Sequence, residues 1–480
     1  MPPSQPIPKP TNSTPGLVGQ QPQPIIYQSG KPNFENSNNP KNSWDFSLVK
    51  QLLELNAGLL LLIFLVLAGF IGMNLFSQPK NPATAASTTN TEQAAVSNQQ
   101  PKIAAAAQKS PVYINEQVIS IDKAFNSNPS QIKLTLNGAI KKEVFGYLPY
   151  WVTDKLDQID TKLLTSVAYF GLEVGPDGDI IKNYPQNPQI SEAWNRWQND
   201  KSLITFLRKQ KANRVKVFLT FKSFSNDNIE KMVKNPQAQT TFINNVLYQI
   251  SSKSLDGVNI DFEYVGTPPD EVRDKFSILM SNLNKEMKRQ YPKSVLTIAT
   301  YARSAKVNEF FDVSLLAQNS DGLVIMGYDF HTPDSANAGA VAPMGGEGIN
   351  LLDYINAYLE KVPPEKLILA VPYYGYDWPA ITRRSDAQVA QGEVKVLPYG
   401  EIAELSQKLN IQWNETTQTP WYTYFSGGQN RVVHFENTRS LGVKYDFINK
   451  KNLAGVGIWA LGFDGRTTEL EQLLADKFAN

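Results

Sequence analysis

The 480-residue chain contains no cysteine and only two histidines, His331 and His434. The first absence excludes disulfide scaffolds, thiolate zinc sites, iron–sulfur clusters and cysteine nucleophiles. The second leaves little material for a histidine-rich metal site. Nor does one sign of charge dominate, because 46 basic residues face 45 acidic ones. Such a balance carries no signature of a polyanionic partner, so nucleic acid is not expected. No metal and no cofactor are expected either, and any chemistry must run on carboxylates and aromatic side chains. Long uncharged apolar runs are absent with one exception, AGLLLLIFLVLAGFIGMNLF at Ala57–Phe76, whose nearest charges are Glu54 and Lys80. At 1.5 Å per residue its length matches a hydrocarbon core of about 30 Å, so residues 57–76 are expected to form a transmembrane helix. The stretch ahead of it is too long for the basic region of a cleaved signal peptide, which makes it an uncleaved anchor. Lys41 and Lys50 before the run and Lys80 after it favour a single-pass topology with a cytoplasmic N-terminus and an extracytoplasmic remainder.

Composition divides the rest. Residues 1–50 are rich in Pro, Gln, Asn and Ser, bury too little apolar surface to offset chain entropy, and read as a disordered tail. Residues 77–111, dominated by Ala, Thr, Ser, Gln and Asn, read as a flexible linker. Residues 112–142 carry short β-like runs and form a lead-in segment, either an edge hairpin or an ordered approach to the region from residue 143 onward.

From residue 143 to 478 the texture changes. Apolar, β-rich runs recur at 144–151, 166–174, 215–221, 255–265, 294–302, 321–330, 366–376 and 453–463. Helical periodicity fills most of the intervals, as at Ser191–Gln210, Asn228–Ile250, Pro269–Arg289, Leu351–Lys361 and Thr438–Asn449. Strands that are apolar on both faces belong to a parallel sheet wrapped by helices. Eight of them predict an α/β protein of the (β/α)8 TIM-barrel class. A doubly wound open sheet competes, but no Gly-rich phosphate turn supports it. The long interval between the seventh and eighth strands holds a short helix at Gly400–Leu409 and several β-like pieces, which predicts a small α+β insertion at about residues 379–436.

The fourth strand, Asp256-Gly257-Val258-Asn259-Ile260-Asp261-Phe262-Glu263, is the informative one. Side chains alternate along a strand, so Asn259, Asp261 and Glu263 share one face while Val258, Ile260 and Phe262 share the other. With the apolar set under the helices, the polar set points into the barrel and Glu263 lies nearest the C-terminal mouth, where sites of such barrels form. Carboxylates in an apolar interior are costly unless paired, which leaves two readings open: a structural ion network, or general acid catalysis. Asp256 starts the strand out of phase with the inward set; it is a supporting residue, near the strand's beginning.

This strand resembles the D-G-x-D-x-D-x-E signature of family 18 glycoside hydrolases, with Asn259 in place of the second aspartate. Phe145–Trp151 resembles the family's first strand, and Met326-Gly327-Tyr328-Asp329 its M-x-Y-D. Ala370–Gly375 is similar to the seventh-strand G-x-P-x-Y-G, and Gly457–Gly462 to the eighth-strand end with its tryptophan. The set covers roughly residues 143–475 in the expected order. The wording GVNIDFE is similar to the branch containing bacterial cell-wall and spore-cortex N-acetylglucosaminidases. The third strand departs: Thr220-Phe221-Lys222-Ser223 stands where S-x-G-G is usual, so the cleft floor there cannot be transferred.

The resemblance implies substrate-assisted retaining hydrolysis of β-1,4-linked N-acetylglucosamine glycans, peptidoglycan or chitin-type, and the protein is expected to be monomeric. It implies Glu263 as the acid, Asp261 as the residue orienting the substrate acetamide, and Tyr328 as the donor to the acetamide carbonyl. Tyr147, Met326, Asp329 and Trp459 are implied as substrate-binding, with Asn259 and Asp256 supporting. An amide at 259 can only hydrogen-bond, so Asp261 is expected to ionise more readily than beside an aspartate. Trp151, Trp378 and Trp421 are further aromatic candidates, His331 is a loop residue, and Ala338–Gly346 is expected to shape the pocket. The competing function is a non-catalytic, lectin-like barrel, against which retention of Glu263, Asp261 and Tyr328 speaks. A scaffold acting through the Pro-rich tail is a third.

Overall fold

The computed structural model describes residues 122–126, 132–184, 187–307 and 309–479. The expected tail, transmembrane helix and linker at residues 1–111 lie outside the described residues; among those described, no helix is long and apolar enough to cross a membrane.

In chain order the strands are β1 (Glu143–Pro149), β2 (Ser166–Glu173), β3 (Asn183–Tyr184), β4 (Asn187–Ile190), β5 (Lys216–Ser223), β6 (Gly257–Phe262), β7 (Val295–Tyr301) and β8 (Gly322–Met326). They continue with β9 (Leu367–Pro372), β10 (Tyr374–Ala380), β11 (Lys395–Pro398), β12 (Gln412–Asn414), β13 (Thr419–Ser426), β14 (Gln429–His434) and β15 (Gly455–Trp459). Eight of these close a parallel barrel in the order β1-β15-β9-β8-β7-β6-β5-β2. The chain is therefore a (β/α)8 barrel, with its strands at the eight apolar runs. Both faces of the strands are buried, as double coverage requires: Val258, Ile260 and Phe262 of β6 are fully enclosed under the helices.

Two of the expected helices are broken by their own capping residues. Ser191–Gln210 resolves into Glu192–Asn199 and Lys201–Ala212, because the Asp200 carboxylate accepts from the N–H groups of Ser202 and Leu203 and starts a new helix. Asn228–Ile250 resolves into Asn226–Lys234 and Pro236–Lys253, with Asn235 as the second helix's cap and Pro236 in its first turn.

The insertion is an antiparallel five-stranded sheet in the order β11-β10-β14-β13-β12, with the helix Tyr399–Ser406 beside it. Its first strand, β10, is separated from β9 by Tyr373 alone, so the sheet starts ahead of residue 379. Within the lead-in segment, Asp122–Asn126 is a short helix whose Ala124 and Phe125 are buried. Ala124 packs on Gly465, whose φ of 65° and 2.3 Å clearance to the Ala124 carbonyl for any added Cβ leave room only for glycine. The Thr135 backbone exchanges hydrogen bonds with the Gln472 side chain. The lead-in is thus docked on the barrel's final loop and helix.

Candidate active site

β6 supplies the centre of the site. Its register sets Asn259 beside Thr220 of β5 and Thr297 of β7, and Asp261 beside Lys222 of β5. Glu263 follows the strand, and its N–H donates to the Ser223 carbonyl at 2.9 Å, so the β5–β6 ladder carries it to the C-terminal mouth. Asn259 accepts from the Tyr147 hydroxyl at 3.4 Å and donates to Thr297 Oγ1 at 3.0 Å, which ties β1, β6 and β7 together through the barrel interior. The Asp261 Oδ1 atom is buried without a hydrogen-bond partner. Asp256 lies at the other end of the strand. Its carboxylate accepts from the Val217 N–H at 2.9 Å and from Lys211 at 3.3 Å, so it joins the start of β6 to β5, away from Glu263.

Burial sets the electrostatics. It pushes the Asp261 carboxyl up to about 7, against the opposing charge of Lys222. The Asn259 amide, engaged with Tyr147 and Thr297, adds no charge beside Asp261, so desolvation sets the direction of the shift. Glu263 is held well above the ordinary carboxyl range, first by burial and then by the charges of Asp261 and Asp329; a hydrogen bond from Tyr301 and the charge of Lys222 pull the other way. Glu263 thus retains its proton while Asp261 gives up its own first, which is the separation an acid and a charge stabiliser require. Tyr147 and Tyr328 are pushed up by burial and by these carboxylates, so both remain neutral hydrogen-bond donors.

Asp329 follows Tyr328 with a φ of 60°, a left-handed conformation that aspartate tolerates better than most residues. Its carboxylate accepts from the hydroxyls of Tyr374 and of Tyr376, the latter at 2.8 Å. Burial raises it to about 6, with those two hydroxyls opposing.

Aromatic side chains form the opposite wall. Trp459, half-buried at the end of β15, meets Phe170 edge-on at 4.6 Å, Tyr147 at 5.6 Å and Trp151 at 6.5 Å between ring centroids. Met326 ends β8 in register with Tyr301 and Ala370. Trp151 belongs to this wall. Trp378 does not, being fully buried with its indole N–H on the Thr332 carbonyl at 3.2 Å. Trp421 stacks on His434 within the insertion. His331 Nδ1 is 2.9 Å from the Ala340 carbonyl and pins the buried loop Ala338–Met344, which reaches the insertion through a Met344–Thr417 backbone bond.

The structure therefore brings together Tyr147, Asn259, Asp261, Glu263, Tyr328, Asp329 and Trp459, and leaves Asp256 apart. It adds Lys222, Tyr301, Tyr374 and Tyr376. The departure from S-x-G-G at Thr220–Ser223 was the visible sign of the first. Tyr374 is the tyrosine of the seventh-strand resemblance at Ala370–Gly375, whereas nothing local marks Tyr301, or Tyr376, whose role depends on where β10 leaves β9.

The sequence profile described as Glycosyl hydrolases family 18 matches residues 143–464. The Bacillus subtilis protein YdhD, itself only provisionally assigned as a sporulation-specific glycosylase, is 26% identical over 360 residues, covering 70% of this chain and 76% of that protein. The Bacillus anthracis cortical fragment-lytic enzyme is 24% identical over 305 residues, 62% of this chain and 65% of its own length. A Cycas revoluta family 18 chitinase, solved in complex with (GlcNAc)3, shares the fold with a TM-score of 0.60 at 21% identity, across 70% of this chain and 99% of that one. With its barrel, its ordered motifs and its paired carboxylates at the mouth, the chain belongs to family 18 of the glycosyl hydrolases and is a glycoside hydrolase of the chitinase-like kind.

Proposed function

We propose that the protein is a membrane-anchored, monomeric hydrolase of β-1,4-linked N-acetylglucosamine glycans, peptidoglycan or chitin-type, that works by substrate-assisted retention. The observation that carries this reading is the pairing of a proton-retaining Glu263 with an Asp261 whose buried Oδ1 lacks a donor. Glu263 protonates the glycosidic oxygen. The sugar's own acetamide carbonyl then attacks the anomeric carbon, so no enzymic nucleophile is required. Asp261 Oδ1 accepts the acetamide N–H and offsets the positive charge of the oxazolinium ring. Tyr328 donates to the acetamide carbonyl, and Trp459 forms the apolar floor beneath the ring. Asp329, held by Tyr374 and Tyr376, accepts from the same sugar's hydroxyls.

The names of the relatives support a cell-wall or chitin-type substrate, and the tyrosine and tryptophan side chains around the carboxylates suit a glycan. Anchoring rests on the uncharged run at residues 57–76, and the flanking lysines support a cytoplasmic N-terminus with the barrel outside. The test uses the detergent-solubilised full chain on chitooligosaccharides and on peptidoglycan, alongside Glu263→Gln. Wild type is expected to release product from at least one, and the variant to lose a factor of about 10²–10⁴ in kcat while still binding. No product from either substrate, with binding intact in both proteins, would overturn the enzymatic reading in favour of a sugar-binding barrel.

A further inference from the structure

Lys222 is the residue that the family pattern does not explain. It sits on β5 where S-x-G-G would place small side chains, yet it is 2% exposed. Its Cα partner on β6 is Asp261, and in parallel strands partnered residues face the same side, so the ammonium group and the carboxylate share one layer of the barrel interior. The ammonium nitrogen lies 5.3 Å from the ring centre of Phe170 and 5.2 Å from that of Phe224. Two ring faces thus hold the cation from one side in a place where an uncompensated charge would be costly. The groups around Asp261 are Glu263 on its own strand, Tyr147 from β1, Tyr328 from the segment after β8 and Lys222 from β5, while Asp329 and Tyr301 act on Glu263 and Lys222 is also the Cα partner of Glu173 on β2. All but Lys222 are neutral or negative, so Lys222 alone among them favours the anionic carboxylate.

We infer that Lys222 is a positioning residue that keeps Asp261 in its charged, acetamide-accepting form, a task the neutral Asn259 cannot share. The inference rests on the function proposed above for Asp261, and it gives the departure in the third strand a role in the site. Both limbs of the bell-shaped kcat/KM profile depend on it. The acid limb reports ionisation of Asp261 and the alkaline limb deprotonation of Glu263, the two being shared by the pair. Loss of the lysine charge moves both toward higher pH.

The experiment compares the solubilised full chain with Lys222→Met, Lys222→Gln and Lys222→Arg. An upward displacement of the acid limb by about one pH unit in both neutral variants, reversed in Lys222→Arg, supports the inference. Neutral variants that keep the wild-type limbs overturn it. Melting temperature against pH, measured for wild type, Lys222→Met, Asp261→Asn and the double variant, decides the matter without catalysis. Lys222→Met is expected to alter the pH dependence more when Asp261 is present than in the Asp261→Asn background, where Glu263 still responds to the lost charge; an alteration of equal size in both backgrounds overturns the inference. Should the wild-type protein hydrolyse nothing, the proposed function fails while this cycle still decides the role of Lys222.

Discussion

At the scale of single residues, Asn259 is the clearest point of difference from the usual pattern, and its environment says what restoring an acid would do. The amide accepts from Tyr147 and donates to Thr297, and it places no charge next to Asp261. An aspartate there could accept from both hydroxyls, so Asn259→Asp is expected to fold. It would add a second buried acid one step along the same strand face. Two carboxylates so placed cannot both ionise freely, and the second proton is retained to higher pH. The acid limb of the pH–rate profile is therefore expected to rise by about one unit or more. A profile identical to that of the wild type would show that the two positions do not interact.

At the scale of elements, β10 links the insertion to the catalytic mouth. Tyr374 and Tyr376 face Asp329, while the next residue along, Asp377, points into the insertion. Asp377 accepts from Arg431 Nε at 2.9 Å and from the Tyr424 hydroxyl at 2.7 Å, and the Arg431–Asp377 pair is almost wholly enclosed, at 6% and 1% side-chain exposure. Arg431 also donates to the Asp377 and Glu393 carbonyls, so one side chain joins β14, β10 and the approach to β11. Removing one partner leaves a buried charge uncompensated. Arg431→Met is expected to destabilise the protein by about 3–5 kcal/mol in chemical denaturation and to raise KM more than it lowers kcat, because the two tyrosines lose their backing. A stability change below about 1 kcal/mol would mean that Asp377 finds another partner.

The same strands show what could be read in advance. The inward set of β6 was legible because alternation depends on one strand alone. The eight barrel strands were legible because burial on both faces leaves an unbroken apolar run. Lys222 was not, since its meaning comes from the β5–β6 register, which no single strand encodes. Tyr376 was hidden for a related reason: β10 comes so soon after β9 that the two read as one segment, and of the pair on Asp329 only Tyr374 fell within a recognised motif. The breaks at Asp200 and Asn235 were carried by capping residues, whose signal a strong helical period covers.

At the scale of the whole molecule, the buried acids act together on stability. Burial holds Asp261 at about 7, Asp329 at about 6, Asp464 at about 7 and Glu471 at about 8, with Glu263 also raised. Asp464 and Glu471 lie beside Asp160 around a cavity between the barrel and its last helix, so the group extends beyond the active site. In the unfolded chain these carboxyls titrate near the ordinary value of about 4. Between about pH 4 and pH 8 the folded protein therefore binds more protons than the unfolded one, and stability falls as pH rises through that window. His434 opposes the trend. Burial lowers it to about 4, so it favours the folded state as pH rises toward the ordinary histidine value. Burial lowers His331 as well, but two histidines working against five carboxyls cannot reverse the sign. The melting temperature is expected to be highest near pH 5 and to fall steadily toward pH 8, with part of the slope removed in Asp261→Asn and a further part in Glu471→Gln. A melting temperature that rises over this interval would mean that the carboxyls are ionised in the folded protein, and with them Glu263, which would then have no proton to give to the glycosidic oxygen.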